Sequence, residues 1–226
     1  MSQASSPAAT IPSYPAQAIA AAKARLGTES ARFSRDMNYE PLDFTGVVNA
    51  QTKNWEIRGE DYTVRRIGSE LYIRVTGETL RTMSMSPATS VMSSATADRF
   101  AAGGWIRTRL PNFRETSVVF NDEFPWNLAG PATRATAVTA TGDRSFAGTV
   151  TVADHDSLST RAKEVPVSVE LDETGRFSKI TVTTKPDLAM VVTFSDFGGP
   201  SDIMAPPGSE ENDLDGQLLL PLLGLR

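Results

Sequence analysis

Cysteine is absent from the sequence. That removes disulfides, thiol catalysis and thiolate metal sites together. Histidine occurs once, as His155 between Asp154 and Asp156. A carboxylate beside an imidazole suits a general base or a metal ligand, but no third partner of a catalytic template is visible, so His155 reads first as a loop residue. There is no nucleophile elbow, phosphate loop, dinucleotide fingerprint or metalloprotease helix. Basic runs are missing as well: 22 Lys and Arg stand against 27 Asp and Glu, a net charge of -5. This balance works against nucleic acid as a partner. No stretch approaches the ~20 apolar residues of a membrane-spanning helix. The sequence points to a non-enzymatic protein with no cofactor and no metal.

What remains fits one globular domain with loose ends, or at most two small domains. Residues 1–17, MSQASSPAATIPSYPAQ, are rich in Ser, Ala and Pro and read as a flexible tether. The start lacks the basic end and apolar stretch of a signal peptide, which leaves either a cytoplasmic protein or one whose signal has been removed. The run PAQAIAAAKARL from Pro15 to Leu26 has high helix propensity, with Ile19, Ala22 and Leu26 on one side and Gly27 placed to end it. A second helix is expected from Ser86, with Ser86 as cap and Pro87 at the first helical position. Val91, Met92 and Ala95 would share a face, and Gly103-Gly104 would stop it.

Nearly everything else is strand-like, in runs of β-branched and aromatic residues bounded by turn residues. Gly68-Ser69 and Gly142-Asp143 suit tight turns with positive φ at the first position, and Asp172 to Gly175 a longer loop. The order favours an antiparallel meander of roughly eight to eleven strands. Val165, Val167, Val169 and Leu171 share one face, as do Leu188, Met190, Val192 and Phe194. Two short helices leave such an apolar face under-covered. The sheet then curls into a barrel, packs as a sandwich, or leaves a cavity that an apolar ligand completes. Trp55, Trp105 and Trp126 either line a groove or pack in the core and its rim.

The ordered set DFTGVVNAQ, YTVRRIGSELYIRV, GGWIRTRLPNF, VPVSVELDETGRFSKITVT and FSDFGGPSDIMAPP resembles the mature part of actinobacterial surface lipoproteins of the LppX/LprG type. These share the fold of the LolA/LolB lipoprotein carriers. The resemblance covers about residues 30–207. It implies an α+β, mainly β fold: a large curved antiparallel sheet, a half-barrel, with a few short helices covering its concave face. It also implies a lipid or acylated ligand held between sheet and helices, without catalysis. The cover would be residues 87–101. The cavity would be lined by Leu71, Ile73, Met83, Met85, Val91, Met92, Phe100, Phe120, Val169, Val192 and Phe194. Thioethers suit a pocket for varied acyl chains, and equally fill gaps in an ordinary core. Localisation would be extracytoplasmic, on the outer face of the cell membrane, through an N-terminal lipid anchor in the full-length form. The given chain would then be the soluble mature part, with the signal peptide removed. The family's acylated cysteine has no counterpart here, a departure from the pattern.

The expected organisation is thus a tether over 1–17, a LolA/LppX-like domain over 18–207, and an acidic, then leucine-rich tail over 208–226. The ending QLLLPLLGLR carries six leucines in its last nine residues. Pro221 is expected to interrupt any helix there. Such a tail is either a disordered or packed terminus, or an apolar segment that covers its own domain's opening or mediates self-association. The main alternative to lipid carriage is a structural or protein-interaction surface lipoprotein whose core is filled by its own side chains.

Overall fold

In the computed structural model the residues described are 12, 14–37, 43–85, 91–109, 124–154, 161–185 and 188–223. In chain order the elements are α1 (Pro15–Arg25), β1 (Ala31–Asp36), β2 (Phe44–Val48), β3 (Trp55–Arg58), β4 (Tyr62–Ile67), β5 (Glu70–Val75), α2 (Gly77–Ser84), α3 (Ser94–Ala101) and β6 (Ile106–Arg109). A 3-10 turn (Trp126–Ala129) leads to α4 (Gly130–Thr133), β7 (Thr136–Ala140), β8 (Ser145–Asp154), β9 (Arg161–Leu171), β10 (Phe177–Lys185), β11 (Leu188–Ser195), β12 (Glu210–Glu211) and α5 (Asp213–Leu222). The expected class, α+β and mainly β with antiparallel sheet and a few short helices, is the one the structure has. The chain forms two compact units, one of residues 1–28 and 129–194, the other of residues 29–128 and 195–226.

The smaller unit is a meander in the order β11-β10-β9-β8-β7. Val165, Val167, Val169 and Leu171 all lie at 1–4% exposure, as their alternation requires. Ile180 stands opposite both Val169 and Val192, so these three form one apolar row. Ala18, Ile19 and Ala22 of α1 are buried, and α1 packs on β7 and α4, α4 on β9 and β10. The expected first helix is present, and its first residues, from Pro15, are ones the sequence assigned to the tether. Gly142 does not take the expected positive φ. The β7–β8 connection is a four-residue loop in which the Thr141 and Gly142 amides both donate to the Ser145 carbonyl, so no left-handed residue is needed there.

The larger unit holds the strands in the order β12-β6-β5-β4-β3-β2-β1. All pairs are antiparallel except β12 on β6. The β4–β5 hairpin turns at Gly68, whose φ of 60° is the left-handed value the Gly-Ser pair predicts. Register fixes two faces. Phe33, Val48, Trp55, Ile57, Val64, Leu71, Ile73 and Ile106 lie on one, all at 3% exposure or less. Thr45, Glu56, Arg58, Thr63, Arg65, Tyr72, Arg74 and Arg107 lie on the other. We call these the core face and the polar face.

Residues 196–223 wrap this sheet. Asp196 pairs with Arg32 of β1, the Gly198 amide donates to the Ser30 carbonyl, and Arg65 of β4 donates to the Met204 carbonyl at 3.1 Å. Pro206 and Pro207 follow beside Arg58 and Arg74. The segment thus crosses the polar face to the free edge of β6, where β12 pairs. Prolines suit a crossing strap, since they bring no amide to compete for the ladder. Beyond the edge, α5 returns on the core side. A Cβ at Gly216 would sit 2.4 Å from Thr108 Cβ, so only glycine permits this approach. Leu219, Leu220 and Leu223 are 0–1% exposed.

Pro221 was expected to interrupt any helix, yet it lies inside α5. Proline inside a helix costs ~3 kcal/mol, while three buried leucines contribute roughly 1.5–3 kcal/mol each. Burial wins. Leu219→Ala should therefore lower unfolding stability by ~2–5 kcal/mol, whereas Leu218→Ala, at a half-exposed position (47%), should change it by less than ~0.5 kcal/mol. Urea unfolding of both variants checks this; equal effects would mean that α5 does not pack as described.

Candidate functional site

Two short helices follow β5: α2 precedes the expected covering segment, residues 87–101, and α3 lies within it. The start of α2 is capped from outside itself: the Asp61 carboxylate accepts from the Thr79 amide at 3.1 Å, and the Asp61 carbonyl accepts from the Thr76 amide at 2.7 Å. Arg81 pairs with Glu78 one turn earlier, and Met83 is the buried residue of α2. This helix went unrecognised in the sequence, because its cap lies 18 positions from the amide it serves.

The second helix starts later than expected. Ser93, not Ser86, caps α3, accepting from the Thr96 amide at 3.3 Å. Val91 and Met92 therefore precede the helix, Ala95 is exposed, and Thr96 and Phe100 form the buried side. The stop at Gly103 is as expected, with φ at 75°. Residues 86–90 lie outside the described residues, as do Phe120 and His155.

The cap is locked by a residue of the leucine-rich helix. The Ser93 amide and hydroxyl both donate to Asp215 Oδ2, at 2.9 and 2.8 Å. Asn212 donates to Thr96 Oγ1 at 3.0 Å and accepts from the Asp215 amide at 2.9 Å. Burial pushes the Asp215 carboxyl up, but hydrogen bonds from Thr96, Ser93 and Asn212 outweigh it and hold the group below the ordinary aspartate value.

Between α2 and α3 runs an open groove of about 730 Å³. Leu80, Met92, Ala97 and Ala101 give it apolar patches, and Ser84, Ser93, Ser94, Arg81 and Asp98 a polar and charged margin. This size falls in the range of ligand pockets, and an apolar lining with a few polar groups is their usual chemistry.

The residues proposed from sequence fall into separate places. Leu71 and Ile73 are fully buried on the core face, and Met83 of α2, Met92 and Phe100 of α3 are buried at 2–8% exposure. Val91 is half-buried. Met85 is 66% exposed, its sulfur 2.9 Å from an Arg81 nitrogen, and lines nothing. Val169, Val192 and Phe194 are buried in the smaller unit's own sheet. Of all these only Met92 lines the groove. Leu80, Ala97 and Ala101 were missed; the only signal for the two alanines was spacing four apart on a helix whose start had been misplaced.

A second gathering escaped the sequence. At the other end of the core face Phe33, Phe44, Trp55 and Phe124 stack edge to face or tilted, with centroids 4.9–6.3 Å apart. Arg35 lies over the Phe44 ring at 4.4 Å. Burial lowers the Arg35 guanidinium and pushes the Tyr62 hydroxyl up to about 12, although Arg35 draws it back down. The three tryptophans divide: Trp55 is core, Trp105 and Trp126 are half-buried.

No protein-family model and no curated protein matches this sequence. Among solved structures the chain is similar to an uncharacterized conserved protein from Thermus thermophilus, at 6% identity and a TM-score of 0.44, over 88% of this chain and 99% of that one. It is also similar to a LolA superfamily protein, NE2245 from Nitrosomonas europaea, at 12% identity and a TM-score of 0.30, over 84% and 96%.

The Asp215 lock sets a pH dependence. Its folded pKa is depressed, so its contribution is fully present above the unfolded value of ~3.9 and is lost as pH falls through the folded value. Asp215→Asn should lower the urea midpoint at pH 7 and close the gap to wild type as pH falls below ~4. A constant gap from pH 7 to pH 2.5 would mean that the carboxylate's charge has no part in holding α5 to α3.

Proposed function

We propose that this chain is a non-enzymatic extracytoplasmic lipoprotein of the LppX/LprG type that binds or carries a lipid or acylated molecule. The observation that carries this reading is the groove of about 730 Å³ between α2 and α3, with Leu80, Met92, Ala97 and Ala101 in its lining. An acyl chain gains by leaving water at ~0.8 kcal/mol per buried CH₂, and a groove of mixed apolar and polar lining suits a molecule with a tail and a polar head. The membrane attachment belonging to this reading is an N-terminal lipid anchor in a longer form of the chain. Exposed Leu214, Leu218 and Leu222 of α5, at 44–71% exposure, recur every fourth residue and support self-association through that helix.

A second reading has its own observation. Leu71, Ile73 and Leu219 are all 0% exposed, which favours a core filled by the chain's own side chains and an interaction lipoprotein whose targets are proteins.

The two part on one experiment. Lipid carriage predicts co-purified lipid in an organic extract of the denatured protein and saturable uptake of an apolar fluorescent probe. Ala97→Glu should weaken that uptake about tenfold, the effect of placing an unpaired charge against an acyl chain, with the strand-type circular dichroism unchanged. A protein without lipid and without probe uptake belongs to the second reading. Light scattering of a Leu214→Lys, Leu218→Lys variant checks the helix contact: a dimer that persists is not held by this stripe.

A further inference from the structure

The polar face of the larger unit's sheet carries a cleft that the groove reading does not use. It measures about 420 Å³ and is lined by Arg58, Thr63, Arg65, Arg74 and Trp105, with Pro206 and Pro207 of the strap as its remaining wall. Pairing register explains the convergence. Arg58 stands opposite Thr63, and Thr63 opposite Arg74, so two arginines of one row flank a single threonine. Continued through Thr45 and Ser34, that row contains no carboxylate. Arg65 lies in the adjacent row, opposite Glu56.

Charge is unevenly compensated. Glu56, 6% exposed, is shared by Arg58 at 2.6 Å and by Arg65. Arg74 has no carboxylate or hydrogen-bond partner among the described residues; its guanidinium lies 5.4 Å from the centroid of the Trp105 ring, which Arg65 also faces at 4.9 Å. Three positive charges thus meet one negative charge, in a chain whose total is -5. Elsewhere on this face Arg32, Arg107 and Arg109 each have their own acid, in Asp196, Glu70 and Glu211. The Trp105 ring and the two prolines fix the walls. The backbones of Arg58 and Arg74 are two strand spacings apart, roughly 10 Å, a gap that two extended guanidiniums close on one tetrahedral group.

We propose that this cleft binds a phosphate group, carried either by a lipid head or by a small soluble molecule. The net excess of two positive charges, three arginines against Glu56, matches the charge of a phosphomonoester, and planar guanidinium forks present paired donors to its oxygens. Thr63 adds a hydroxyl at the centre of the row. The strap closes one side, so the ligand enters beside Trp105. This site does not rest on the groove between α2 and α3.

The test uses the whole chain at ~150 mM salt, where long-range attraction is screened beyond ~8 Å. Inorganic phosphate and glycerol 3-phosphate are titrated by calorimetry, with acetate as control. Phosphatidylcholine vesicles with and without phosphatidic acid are tested by co-sedimentation. Saturable phosphate binding is expected, about tenfold weaker in Arg74→Gln, with the urea midpoint in phosphate-free buffer unchanged. Sedimentation that requires both phosphatidic acid and Arg74 assigns the phosphate to a lipid head. Binding of glycerol 3-phosphate without sedimentation assigns it to a soluble molecule. The proposal is overturned if neither phosphate nor phosphatidic acid binds, if acetate binds as well as phosphate, or if Arg74→Gln binds like wild type.

Discussion

Strand alternation is the constraint from which the larger unit follows. A period of two sends every second side chain to the same side, and here that side is apolar from Ala31 to Ile106, with buried Arg35 and half-buried Arg66 as the charged exceptions. Six spacings between seven strands make a surface roughly 29 Å wide. Helices α2 and α3 have 8 residues each, about 12 Å apiece. They cannot cover it. The leucines of α5 add cover at the β6 end, where that helix packs, which explains why a helix containing proline persists and why its one glycine faces Thr108.

The opposite side of the same sheet solves a different problem. Its charged rows would leave arginines competing for too few acids, and the strap brings Asp196 to Arg32 and Glu211 to Arg107, while Glu210 pairs with Arg99 of α3. Exposed pairs of this kind contribute little each. Their value lies in fixing the path of residues 196–212, which delivers α5 to the correct edge. The Pro206-Pro207 stretch thus serves as a rigid part of the strap across the polar face.

The sheets were legible in the sequence because their signal is local: Val165 to Leu171 alternate, and Gly68-Ser69 announces its own turn. The helices of the larger unit were less so, for a physical reason. Asp61 caps α2 from another element, and Asp215 fixes Ser93 as the start of α3 from a distance of 122 residues. No window of sequence contains both partners. For α5 the cap is local, Asn212 accepting from the Asp215 amide, but propensity argued against Pro221 and tertiary burial overrode it. The groove inherits these errors, since its walls are the two helices. Core residues such as Leu71 and Phe100 were recognised as apolar and inward, while what they face depended on a segment read as a tail.

The arrangement has a consequence for biosynthesis. A chain emerging from its N-terminal end forms β1 to β6 long before residues 213–223 exist, so the core face and the β6 edge stand open for more than 100 residues of elongation. Edges and apolar faces of this kind recruit other chains. The larger unit can therefore close only after β12 and α5 are made, an interval in which its open edge is available to other chains.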